Sequence, residues 1–280
     1  MLLTIPLSAI LLTGCVSTAP KSDYIAFAQA GTAYASAVDK LLNLAGVAQV
    51  DSTSWTLINE KNTTTEMDSA TYDTKTKIDV QRLEKITKLR TQAKLLAQYF
   101  SQLEFLATSD APEKTQIAIQ GVVSNLGKLN LPLPNGVPAL PAFGKFMVDS
   151  KIRLALKNEL EERKDLIRNE LYLHEHLLEQ LRKEISHALT LEKSTKEQTL
   201  VIAPFLNKSP LKDPENWAST RHNVVYMPIT VEELRSAENA AKKMRETFET
   251  LLSGGDPKSQ INTLLNDIDS ILSIIETVKS

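Results

Sequence analysis

Residues 146–199 read FMVDSKIRLALKNELEERKDLIRNELYLHEHLLEQLRKEISHALTLEKSTKEQT, with no proline or glycine in the whole stretch. Helix-forming residues dominate it, and an apolar stripe runs through Leu160, Ile167, Leu171, His174, Leu178, Leu181, Ile185 and Ala188 at helical spacing. A helix of about 50 residues at 1.5 Å per residue is about 75 Å long, more than the width of a compact domain of this size. The molecule is therefore expected to be elongated, or this helix to bend or project.

Outward from that stretch the same periodicity recurs. Tyr24, Phe27, Gly31, Tyr34, Val38, Leu41, Ala45 and Ala48 alternate spacings of three and four, with Ser22 or Asp23 as cap and the small residues Gly31, Ala45 and Ala48 allowing close helix approach. Residues 59–77, rich in Thr, Asn and Asp, read as a loop or a frayed helical connection. A second stripe follows at Ile86, Leu89, Ala93, Leu96, Phe100, Leu103 and Ala107, and a shorter helix after Pro112 carries Ile117, Val122 and Leu126. Four prolines in the connector 130–142 forbid regular structure there. Towards the end, Thr230-Val231-Glu232-Glu233 has capping-box spacing before Leu234, Ala237, Ala241, Met244, Phe248 and Leu251. Gly254-Gly255 stops that helix, and Asp256-Pro257 starts another with Ile261, Leu264, Ile268, Ile271, Ile275 and Val278. The expected fold is all-α: an elongated antiparallel helical bundle of five to six helices with coiled-coil-like seams and one long central helix.

Composition agrees with that reading and excludes others. Nine glycines and one cysteine in 280 residues leave no disulfide framework, no Cys-based zinc site and few of the glycine turns of an α/β enzyme. A formal net charge of -2 gives no electrostatic footprint for nucleic acid.

Residues 1–14, MLLTIPLSAILLTG, are uncharged, mainly apolar and too short to span a bilayer, which takes about 20 residues. They end in Leu12-Thr13-Gly14-Cys15: a branched apolar residue, two small residues, then the cysteine. This segment resembles the signal peptide and lipobox of bacterial lipoprotein precursors, although it lacks the basic residues that usually open one. The resemblance implies cleavage before Cys15 and lipidation of its thiol. The attached acyl chains, at roughly 0.8 kcal/mol per buried CH₂, would hold the protein on a membrane. Val16 stands where an aspartate would retain such a protein at the inner membrane, so the resemblance implies the periplasmic face of the outer membrane. Residues 15–21 then read as a tether and 22–280 as a single helical-bundle domain.

The insertion 203–229 is long for a helix connection, typically about 2–8 residues. Its edges, Leu200-Val201-Ile202 and Asn223-Val224-Val225-Tyr226-Met227, suit a small irregular or β-ribbon insertion. Between and within them lie Trp217, Arg221, His222 and Tyr226, residue types that anchor interfaces. Two readings stand: a partner-contacting lobe, or a structural cap in which Trp217 and Tyr226 plug the open end of the bundle.

Chemistry for an enzyme is not visible. His174 and His176 point about 200° apart on a helix and cannot share an ion. Glu184-Ile185-Ser186-His187 has no second such pair to complete a carboxylate-bridged centre. His174, on an apolar seam, reads as an interhelical hydrogen-bonding residue. No phosphate loop, nucleophile elbow or zinc-protease motif occurs, so no metal and no cofactor is expected. The expectation is a non-enzymatic, membrane-anchored envelope lipoprotein acting as an adaptor, assembly or inhibitor module through an envelope protein partner. The alternative is a bundle that binds an apolar or envelope-derived ligand, with Phe100, Phe248 and Trp217 near its mouth.

Overall fold

The computed structural model describes residues 19–63, 68–108, 112–129, 152–207, 209–227 and 234–279. Residues 1–14 read as a signal peptide, Cys15, the stretch 130–142 read as a connector and the stretch 230–233 read as a capping box lie outside the described residues. Among those described, every regular element is a helix: α1 (Lys21–Thr63), α2 (Ser69–Thr108), α3 (Pro112–Lys128), α4 (Ile152–Lys196), a π-helical turn (Glu197–Ile202), α5 (Ala203–Leu206), α6 (Pro214–Tyr226), α7 (Arg235–Leu252) and α8 (Lys258–Lys279).

Of the two readings of residues 59–77, a loop or a frayed helical connection, the described residues 59–63 and 69–77 favour the helical one. α1 runs to Thr63, and α2 starts at Ser69 behind Asp68, whose Oδ1 accepts from the Thr71 amide at 2.9 Å. Weak helix formers are held helical here by cross-links between the two helices: Lys75 to Glu60 at 2.6 Å, and Thr53 Oγ1 donating to Asp79 Oδ1 at 3.0 Å. The first turn of α1 also begins earlier than a cap at Ser22 or Asp23 requires, at Lys21.

Polar pairs fix the helix directions. Gln29 with Glu104, Asp39 with Arg90, and Glu60 with Lys75 make α1 and α2 antiparallel. Glu175 with Arg245, Arg168 with Glu249 and Arg182 with Glu238 do the same for α4 and α7. Tyr34 with His174 and Trp55 with Lys196 advance together, so α1 and α4 are parallel, contrary to a wholly antiparallel arrangement. Three helices exceed the rest, with 43, 40 and 45 residues in α1, α2 and α4. Two of them are central: α1 touches α2, α4, α7 and α8, and α4, from the stretch read as the long central helix, touches α1, α2 and α7.

The stripes of α1, α4 and α7 are buried as their spacing requires. Gly31 lets α2 approach: a Cβ there would sit 2.5 Å from Phe100 Cγ. Phe27 packs edge-on to Phe100 at 5.4 Å and stacks with Phe248 at 6.0 Å, all three fully buried. Phe100 and Phe248 are therefore core, not the mouth of a ligand site. On α3 the buried face is Ile119, Val123 and Leu126; of the stripe expected there Leu126 is buried, Val122 is half-buried and Ile117 points out.

Turn chemistry works as expected at residue 254. Gly254 has φ 76°, its N–H reaches the Leu251 carbonyl, and the Gly255 N–H reaches the Thr250 carbonyl at 2.9 Å, a Schellman stop. α7 and α8 then fold back on each other along the lower half of α1. Of the described α1 residues that follow Ala48, Ser52 alone is buried.

Candidate functional site

The insertion is helical, which overturns the β-ribbon expectation. Pro204 has no N–H for the Leu200 carbonyl and its ring would crowd it, so the chain widens into a π turn just before it, with the Ala203 N–H reaching Gln198 O. Leu200, Val201 and Ile202 belong to that turn. Residues 223–226 end α6, which starts as α8 does with an Asp–Pro pair: Asp213 Oδ1 accepts from the Asn216 amide at 2.9 Å and Pro214 fills the first turn.

α6 stands off the bundle as an arm. At its root the Trp217 indole N–H donates to Val201 O at 3.0 Å and the ring stacks on Phe205 at 5.5 Å. At its far end Lys193 Nζ donates to the carbonyls of Val225 and Met227 at 3.1 and 3.2 Å, satisfying the last carbonyls where the helix dipole favours a cation. Val224 is the one buried residue of α6 among those described. Replacing Trp217 with phenylalanine keeps the stack and deletes the donor, a loss of about 1 kcal/mol. Hydrogen exchange across 214–226 should quicken about fivefold with the bundle's protection unchanged, by the logic of local opening. Unaltered exchange in α6 would show that this bond does not hold the arm.

Between the arm and the bundle lies a cleft of ≈ 910 Å³. Its floor is Leu44, Val47 and Ala48 of α1 with Leu189 of α4, its roof is Val224 and Met227, and its rim carries Asp51, Trp55, Glu192, Lys196, His222 and Tyr226. Lys196 is placed twice over, 2.6 Å from Glu192 and 5.2 Å above the Trp55 ring, a cation–π contact. His222 and Tyr226, one helical turn apart, lie 4.4 Å ring to ring.

Of the four residues singled out by sequence, His222 and Tyr226 meet at this cleft, Trp217 roots the arm, and Arg221 lies exposed outside the lining. Trp217 thus has the structural part of the cap reading. Tyr226 does not plug the bundle, since it is 74% exposed. Phe205 at 63% and Leu206 at 71% are exposed at the other end of α6, where Phe205 packs on Trp217. Trp55 was missed, although Ala48, Ser52 and Trp55 continue the four-three spacing of the first stripe.

Three buried ionisable groups of α4, His174, Glu170 and Glu159, lie elsewhere. His174 meets the Tyr34 hydroxyl at a long 3.4 Å, and burial pushes its pKa down to about 4, so the ring is neutral. Burial pushes Glu170 up to about 7, with the amide of Gln92 donating to it in partial compensation. Burial does the same to Glu159, against the pull of Arg163, whose Nε is 3.4 Å away. None of these lines the cleft. Among the described residues no three His, Cys, Asp or Glu side chains converge on a metal-sized site, and no helix is long and apolar enough to cross a membrane. Comparison with models of known protein families, with curated proteins and with solved structures finds no match.

Proposed function

We propose that the chain is a lipid-anchored envelope protein, held by acyl chains on Cys15 at the periplasmic face of the outer membrane, that acts without catalysis by binding an envelope protein as an adaptor, assembly factor or inhibitor. The observation that carries this reading is the α6 arm. It presents Val225 and Tyr226 to solvent at an open cleft, and α5 at its root presents Phe205 and Leu206, while Phe27, Phe100 and Phe248 between the helices are fully packed. In this reading the bundle is an elongated spacer. From Lys21 to Trp55, α1 rises about 50 Å, which sets the arm well away from the tether.

A second reading is favoured by the size of the cleft: a volume of ≈ 910 Å³ suffices for an apolar or envelope-derived small ligand. The two separate when the protein is crosslinked in intact cells, extracted from membranes, and analysed by mass spectrometry for both peptides and lipids. The adaptor reading expects a crosslinked envelope protein and a mature chain beginning at an acylated Cys15. A co-purifying lipid with no crosslinked protein would support the second reading, and an unmodified Cys15 behind a retained Met1 would contradict the anchor.

A further inference from the structure

We infer that the outer face of α3, with Phe105 in the last turn of α2, is a membrane-contact surface that rests on the phospholipid headgroups of the leaflet holding the anchor. This rests on the anchored reading above and names the surface by which the fold itself meets the lipid.

The shortness of the link between anchor and fold is the first observation. Ala19 is 2% exposed and belongs to the hydrophobic core, and the Pro20 carbonyl accepts from the Asp23 amide at 3.0 Å as α1 begins. Only Val16, Ser17 and Thr18 lie between Ala19 and Cys15. Four steps of at most about 3.6 Å put Ala19 within about 14 Å of the acylated residue. A helix is about 10 Å across with its side chains, so a bundle held on that length does not hang clear of the headgroups. The end that carries Ala19 lies against them.

Phe105 and α3 stand at that end. Glu104 of α2 accepts from Gln29 of α1 at 2.7 Å, so the last turn of α2 is level with the first turns of α1. α3 starts at Pro112, four residues after α2 ends at Thr108, and packs against α2.

The second observation is the chemistry that this end exposes. Phe105 is 60% exposed and Ile117 73%. On α3, Lys114, Ile117, Ala118, Gly121, Asn125 and Lys128 are exposed along one face, opposite the buried Ile119, Val123 and Leu126. That face places apolar and small residues between two lysines and carries no acidic side chain. A Cβ at Gly121 would meet nothing within 4 Å, so the backbone of α3 is open to close approach. Lysines at both ends of such a face reach lipid phosphates while their stems and Ile117 enter the interface. The α6 arm is at the other end of α1, beside Trp55, so the lipid and protein surfaces do not compete.

The test uses the full mature chain, acylated at Cys15 and reconstituted in phosphatidylethanolamine–phosphatidylglycerol vesicles. Cys15 is the only cysteine, and with its thiol blocked Gly121→Cys takes a single spin label in the middle of the face. Power-saturation electron paramagnetic resonance reads the label's collisions with a water-soluble nickel chelate. Their rate should fall at least about threefold from that of the same label in a Cys15→Ser chain free in buffer, the scale expected of an interfacial position. A label at the exposed Lys242 of α7 should show no fall. Ile117→Asp, and Lys114→Glu combined with Lys128→Glu, all at exposed positions, should each bring the fall at position 121 below about 1.5-fold. An equal fall at 242 and 121, or protection that both sets of substitutions leave unchanged, would overturn the surface. Equal rates at 121 in vesicles and in buffer, with Cys15 acylated by mass spectrometry, remove this surface alone and leave the anchor standing. An unacylated Cys15 in the chain from native cells overturns both.

Discussion

Replacing Gly31 with alanine should destabilise the protein by about 2 kcal/mol, although alanine is the better helix former by about 1 kcal/mol. The added Cβ would lie 2.5 Å from Phe100 Cγ and 2.7 Å from both ring Cδ atoms. The ring cannot retreat, because it is fully buried and held edge-on by Phe27 at 5.4 Å and by Tyr99 at 5.4 Å. Overpacking of that kind costs up to about 3 kcal/mol, which exceeds the gain in helix propensity. Gly121 is the control, since a Cβ there meets nothing within 4 Å and alanine should stabilise by about 1 kcal/mol. Urea unfolding of both variants reads the difference. Combining Gly31→Ala with Phe100→Leu should recover part of the loss, a coupling of about 1 kcal/mol between touching residues. If Gly31→Ala behaved like Gly121→Ala, the close approach of α1 and α2 would be wrong.

The second large effect is on the pH dependence of stability. Glu170 keeps its proton up to about pH 7 in the folded protein, against an ordinary 4.5, because burial penalises the carboxylate. Between these values the folded state binds more protons than the unfolded one, so this group's contribution is full below about 4.5 and is lost as pH rises to about 7. At about 1.4 kcal/mol per pH unit the loss amounts to about 3 kcal/mol. Glu170→Gln is neutral at every pH and its carbonyl still accepts from Gln92. The variant should match the parent near pH 4.5 and exceed it by about 3 kcal/mol at pH 8. His174 works in the opposite sense. With its pKa lowered to about 4 from 6.5, its contribution is present above 6.5 and lost as pH falls toward 4. Denaturant midpoints across pH 4.5–8 for parent and Glu170→Gln test the account, and parallel curves would show that Glu170 ionises freely in the fold.

What was legible in the sequence is the helical period, because burial of one face selects for it at every turn. The stripes from Tyr24 to Ala48 and from Leu160 to Ala188 give the core faces of α1 and α4 residue for residue, and Gly254 gives the stop of α7. The failures share a cause as well. Residues 59–77 look like a loop because Thr and Asn are poor helix formers, and only the cross-links Glu60–Lys75 and Thr53–Asp79 across the α1–α2 pair override that preference. The apolar run Leu200-Val201-Ile202, with two β-branched residues, suggests a strand because local propensity contains no information about α4 continuing through it. The Asp213-Pro214 pair did contain the start of α6, and it is the same signal as the Asp256-Pro257 pair read before α8.

The candidate site was half legible for a related reason. Tyr226 and His222 stood out as interface residue types, whereas Val47, Asp51 and Trp55 of α1 belong to the site only because α6 turns back over them. That placement depends on how helices far apart in the sequence meet and not on any single stretch.

The central claim is that the chain meets an envelope protein at its α6 arm while held to a membrane by Cys15. It is tested most directly by placing a photo-crosslinking residue at position 226 in intact cells, in the native chain and in Cys15→Ser. The account predicts one discrete adduct with an envelope protein in the native chain, absent when the same residue is placed at the exposed position Lys77 on the outer face of α2, and strongly reduced in Cys15→Ser. An adduct from Lys77 but none from position 226, or equal adducts with and without Cys15, would contradict it.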